Sequence, residues 1–314
     1  MLLLIHSRHR ILTCYLSSPG IQCALWLRQK NITNYRYDGA HPSNQAKTHK
    51  MIWRNLAPRG DDLSKITTLQ VLITSMSDIE RVAWILKHTP ALQGLDLEGT
   101  LYRLESNTVH THLTCCAIDA EIFKGLFTSH GNARYSARLK TLRIASMCLG
   151  QSGELLPSLL NLEGLETLQL VKCDDTQSFI EHLTQLQLHL SSIYIDRGSN
   201  GPRDDAEISD FIASLAAPKR ISLLCEVDHP YDGQIDVGRL QKHAQSIEYL
   251  RLEDNNATCL TYGISDQKPQ FCSFFEHASN LKQLSLSGPE LDDGTEVAEF
   301  LVSMYCGNYQ CHHD

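Results

Sequence analysis

Apolar residues recur along most of the chain with one spacing, apolar-x-x-apolar-x-apolar. It occurs as ITTLQV from Ile66, LQGLDL from Leu92, LKTLRI from Leu139, LETLQL from Leu165, LSSIYI from Leu190, IEYLRL from Ile247 and LKQLSL from Leu281. A degenerate copy, PKRISL, begins at Pro218. Successive copies start 26, 47, 26, 25, 28, 29 and 34 residues apart, a step that chance would not keep and that repeat architectures show. Side chains alternate along a strand, so the fourth and sixth positions of each copy share one face of a short strand and the third and fifth share the other. The apolar pair is predicted to point inward.

Between copies the period changes from two to that of a helix. Ile79, Val82, Ala83 and Leu86 lie on one helical face, as do Ile208, Phe211, Ile212 and Leu215, and Val297, Phe300, Leu301 and Met304. Asp78, Asp205 and Thr295 stand near the starts of these segments, where a side-chain oxygen can cap free N–H groups. Each copy therefore reads as strand, turn, helix and return. No single copy can bury both its strand leucines and its helix face, so neighbours must stack. The expected fold is α/β: a curved solenoid with parallel strands on the concave side and helices on the convex side. A doubly wound sheet also alternates strand and helix, but it lacks the fixed leucine spacing, and no G-x-G-x-x-G or G-x-x-x-x-G-K-[ST] occurs. The step of 47 residues leaves two options within residues 100–138: an extra copy at LTCCAI, Leu113 to Ile118, or one copy with a loop from Thr100 to His112. The helical face of Ile122, Phe123, Leu126 and Phe127 fits both, and the loop is preferred.

The copies resemble leucine-rich repeats over Ile66 to Tyr305. LETLQLVKC, with Cys173 at its ninth place, resembles the L-x-x-L-x-L-x-x-C variant of F-box proteins that carry such repeats, and IEYLRLEDN has the more general asparagine, Asn255, there. The other ninth places hold Met147, Gly198, Thr74, Thr100, Glu226 and Pro289, and this irregularity is similar to that of fungal F-box and leucine-rich-repeat proteins. The resemblance implies a substrate receptor of a cullin-RING ubiquitin ligase, with a cullin-complex adaptor as partner. It also implies an N-terminal F-box of three short helices opening on Leu-Pro. No such opening stands there, and Ser17, Ser18, Pro19 and Gly20 interrupt the apolar residues between Ile11 and Leu27.

Charge divides the chain. Residues 1–60 hold nine Lys or Arg and one acidic residue, Asp38, a formal +8, while the other 254 residues hold 19 basic and 35 acidic residues, a formal −16. The expected organisation is a basic N-terminal segment over 1–60, a solenoid of about eight irregular repeats over 61–305 and a tail over 306–314. The basic segment is read as solvating the end of the solenoid or resting on its acidic surface, and a nucleic-acid partner is not expected. The longest apolar runs fall far short of the roughly 18 to 20 residues of a membrane span. Eleven scattered cysteines suit reduced thiols, and a cytoplasmic or nuclear location is expected.

Signatures of catalysis are missing: there is no G-x-S-x-G and no H-E-x-x-H, and the chain is read as a non-enzyme with no cofactor. Cys306, Cys311, His312 and His313 are zinc-ligand types, but adjacent histidines rarely reach one ion together, and no metal site is expected. The acidic stretches Asp204 to Glu207 and Glu226 to Asp236 lack the ordered spacing of a calcium loop. The candidate surface is the concave one, which carries Thr141 and Arg143, Thr167 and Gln169, Ser192 and Tyr194, Arg220 and Ser222, and Tyr249 and Arg251. Tyr and Arg often carry binding energy. The candidate binding residues are therefore Arg143, Gln169, Tyr194, Arg220, Tyr249 and Arg251, and the expected role is a scaffold that binds a protein partner there.

Overall fold

The structure is a computed structural model, and it describes residues 11–13, 34–38, 64, 66–73, 76–99, 112–128, 135–153, 155–186, 188–197, 205–225, 236–254 and 268–286. The chain divides into two compact units, Met1–Leu165 and Glu166–Asp314. The third helical face, from Val297, and the tail with Cys306 to His313 lie outside the described residues.

The first unit holds strands β1 (Ile11–Thr13), β2 (Asn34–Asp38) and β3 (Thr68–Ile73), helix α1 (Met76–Lys87), β4 (Gly94–Gly99), α2 (His112–Thr128), β5 (Tyr135–Arg138), β6 (Thr141–Ala145), the single turn α3 (Leu156–Leu159) and β7 (Leu160–Asn161). Its sheet runs β1-β2-β3-β4-β6, every neighbouring pair parallel. A separate parallel pair joins β5 to β7. Because β4 pairs directly with β6, no strand of this sheet intervenes across the 47-residue step. Leu113 to Ile118 belong to α2, so no strand copy forms there, while residues 100–111 of the expected loop lie outside the described residues and His112 begins the helix. The reason is the run of helix-compatible apolar spacing through Ile122, Phe123, Leu126 and Phe127, all buried.

The second unit holds β8 (Thr167–Cys173), α4 (Gln177–Gln185), β9 (Ser192–Arg197), α5 (Asp205–Ser214), β10 (Arg220–Cys225), the short α6 (Val237–Leu240) running into a 3-10 turn (Gln241–His243), β11 (Tyr249–Asp254), α7 (Lys268–His277) and β12 (Gln283–Leu286). Its sheet is again parallel, in the order β8-β9-β10-β11-β12.

The inward positions behave as their spacing requires. Leu69, Val71, Leu95, Leu97, Leu142, Ile144, Leu168, Leu170, Ile193, Ile195, Ile221, Leu223, Leu250 and Leu252 are all buried. The helix faces Ile79, Val82, Ala83 and Leu86 in α1, Phe179, Ile180 and Leu183 in α4, and Ile208, Phe211 and Ile212 in α5, with Leu215 just beyond, are buried as well. The last copy is the exception, since Leu281 and Leu284 remain partly exposed.

A backbone device repeats with the copies. The carbonyl of Thr67 accepts from the N–H groups of Gln93 and Gly94, and that of Gln93 from Lys140 and Thr141. In the second unit Glu166 accepts from Ser191 and Ser192, Ser191 from Lys219 and Arg220, Lys219 from Glu248 and Tyr249, and Glu248 from Lys282 and Gln283. Each of these six second-position carbonyls thus accepts two N–H groups from the next copy. This pins those strand starts in the same register.

Strand ends repeat a second feature. Ser146 and Lys172, the eighth residues of their copies, adopt φ of 54° and 51°, left-handed values that most side chains avoid. The reversal is followed by a ninth residue, Met147 or Cys173, that is buried. Cys173 is a free thiol.

Candidate interaction surface

Register decides which outward side chains become neighbours. In the first unit the fifth positions Gln70, Asp96 and Arg143 pair in line across β3, β4 and β6. The Gln70 side-chain amide donates to one oxygen of Asp96 at 2.8 Å, and Arg143 donates to the other at 2.6 Å. Arg143 also stands 3.7 Å from the Glu98 carboxylate. Two carboxylates hold one guanidinium. Arg143 is thus a member of an internal polar ladder, committed to its own sheet.

The other five candidates lie in the second unit, on two ladders. Thr167, Ser192, Arg220, Tyr249 and Gln283 align at the third position, and Gln169, Tyr194, Ser222, Arg251 and Ser285 at the fifth. Gln169, Tyr194, Tyr249 and Arg251 are half-buried and Arg220 is exposed. The Arg220 guanidinium lies over the Tyr249 ring, 5.9 Å from its centroid, a cation–π arrangement. Ser222 departs from its expected exposure. It is only 7% accessible, because a serine set in register between Tyr194 and Arg251 is covered by its larger cross-strand neighbours.

Sequence reasoning passed over the second position of each copy, which also contributes. Glu248 receives a hydrogen bond from the Lys282 ammonium at 2.7 Å and stands 3.9 Å from that of Lys219. The Lys282 hydrogen bond, then the charges of Lys282, Lys219 and Arg220, hold the Glu248 carboxyl below its ordinary range. The signal was available, since PKRISL, IEYLRL and LKQLSL carry Lys, Glu and Lys at that place.

No family model matches the chain, and no curated protein matches its sequence. Among the described residues no group of three or more His, Cys, Asp or Glu side chains could hold a metal ion, and no helix is long and apolar enough to cross a membrane.

Proposed function

We propose that the chain is a leucine-rich-repeat protein without catalytic activity that binds a protein partner on the outward side of its parallel strands. The observation that carries this reading is the alignment of Tyr194, Arg220, Tyr249 and Arg251 on three successive strands. Such a cluster offers large rigid area and several donors without drawing on the leucine core. A receptor role in a cullin-RING ligase is the second reading, favoured by the buried Cys173 at the ninth place of LETLQLVKC.

The test uses a partner recovered by affinity capture and then purified. The Tyr194→Ala and Arg251→Ala double variant should weaken its binding by about 2 kcal/mol or more, roughly thirtyfold. Glu181, exposed on α4, supplies the control, and Glu181→Ala should bind as wild type. Unchanged affinity in the double variant together with loss in Glu181→Ala would transfer the site to the helices. Cullin-complex subunits in the capture would favour the receptor reading over a free-standing scaffold.

A further inference from the structure

The second unit, Glu166–Asp314, holds 10 basic and 24 acidic residues, a formal charge of −14. One corner of its sheet reverses that sign. Lys219, Arg220 and Lys282 gather there around a single carboxylate, Glu248, giving three positive charges to one negative. The Lys219 and Lys282 side chains are 64% and 73% exposed. Among the described residues Arg220 makes no ion pair and rests instead on Tyr249. Arg239, on the helical side, differs: Asp210 and Asp236 neutralise it at 2.7 and 3.4 Å.

We propose that this corner, Lys219, Arg220, Lys282 and Tyr249 at the starts of β10, β11 and β12, docks an extended acidic segment of a partner protein. The inference rests on the reading above and specifies the partner's chemistry. The Lys219 and Lys282 backbones stand two strand spacings apart, about 9.6 Å, while their ammonium groups converge on Glu248. A polyproline II segment presents every third side chain on one side, about 9.3 Å apart, so acidic residues three places apart match the two lysine backbones and draw the flexible ammonium groups away from Glu248. Arg220 offers a planar fork to a carboxylate between them, and Tyr249 offers an aromatic wall. Within this unit the surrounding negative charge disfavours an acidic segment elsewhere and steers it to this corner. Glu248 competes with the incoming carboxylates for the same ammonium groups.

The experiment measures fluorescence anisotropy of a labelled (Glu-Pro-Pro)4 peptide on the full chain. A (Gln-Pro-Pro)4 peptide and a single-stranded thymidine oligonucleotide serve as comparisons. The glutamate peptide should bind, lose affinity steeply with added salt, and exceed both comparisons. The triple variant Lys219→Gln, Arg220→Gln, Lys282→Gln should weaken it at least tenfold, and Glu248→Gln should tighten it several-fold. The gain in Glu248→Gln keeps the test valid if the triple variant folds poorly. Equal binding of the two peptides, tighter binding of the oligonucleotide, or wild-type affinity in a folded triple variant would overturn the proposal. No captured partner enters this measurement, so its failure stands apart from failure of the Tyr194 and Arg251 test.

Discussion

Asp96 accepts from two neighbouring strands at once, through one oxygen from Gln70 and through the other from Arg143. Removing it as Asp96→Ala leaves a half-buried guanidinium beside Glu98 alone and a glutamine amide without its acceptor. The expected loss in urea melts is about 1 to 2 kcal/mol, and a double-mutant cycle with Arg143→Ala should show coupling. Additive losses would contradict a shared network. The alternation that puts Asp96 and Arg143 on the outward side is legible in LQGLDL and LKTLRI. Their pairing is not, because 47 residues separate them and only the strand register makes them neighbours. Ser222 fails for the related reason that exposure depends on the size of the residues beside it. Local pattern specifies a direction, and neighbours decide what that direction meets.

At the level of elements, helices show what their sequences conceal. Gly125 in α2 faces α1, where an added Cβ would stand 2.5 Å from the Ile79 Cγ2 methyl. Alanine ordinarily favours a helix over glycine by about 1 kcal/mol, but here the clash with a buried, branched side chain outweighs that gain. Gly125→Ala should lower stability by about 1 to 2 kcal/mol. Adding Ile79→Ala should cost less in that background than in the wild type, and strictly additive melts would count against this contact.

The C-terminal end of α5 is closed by the next copy. His243 donates from Nε2 to the Ile212 carbonyl at 2.8 Å, and Lys242 donates to that of Ala213 at 2.8 Å. The Ile212 carbonyl also accepts from the Leu215 N–H at 3.2 Å, and both carbonyls lie in the last turn, where donors within the helix run out. Burial lowers the His243 pKa, the Ile212 hydrogen bond opposes this, and the Lys242 charge adds to the lowering. Below about pH 6.5 the unfolded imidazole binds a proton that the folded one resists. Its contribution to stability is therefore present above that pH and lost as pH falls toward the lower folded value. His243→Leu should be less stable at pH 7.5 by about 1 kcal/mol, yet lose less of its remaining stability between pH 7 and 5. Urea midpoints across that range decide it, and parallel slopes would refute the assignment.

Across the whole molecule the leucine spacing locates β3, β4, β6 and β8 to β12 of the two units, and helical spacing locates the faces of α1, α2 and α5. It does not reach β1 and β2. In register with β3, Tyr35 pairs with Leu69 and Tyr37 with Val71, so β2 sets tyrosines in line with the aliphatic fourth and sixth positions of the next copy. Tyrosine at both places hid it from a search for aliphatic residues. The strand partner β5 with β7 was equally hidden, since two-residue and four-residue strands carry no period. The five candidate residues of the second unit were legible because they follow from the same alternation as the core. The basic corner was not, since it needs three copies read side by side.

Core and proposed surface both rest on one register, and β8 tests it at successive positions. Leu168 and Leu170 are fully buried, while Thr167 and Gln169, which alternate with them, are half-exposed. Urea melts of the four single alanine variants should alternate. Leu168→Ala and Leu170→Ala are predicted to cost about 2 to 5 kcal/mol each through lost burial and the cavity left behind, and Thr167→Ala and Gln169→Ala no more than about 0.5 kcal/mol. Comparable losses at all four positions, or larger ones at Thr167 and Gln169, would contradict the register and remove the basis for the outward surface.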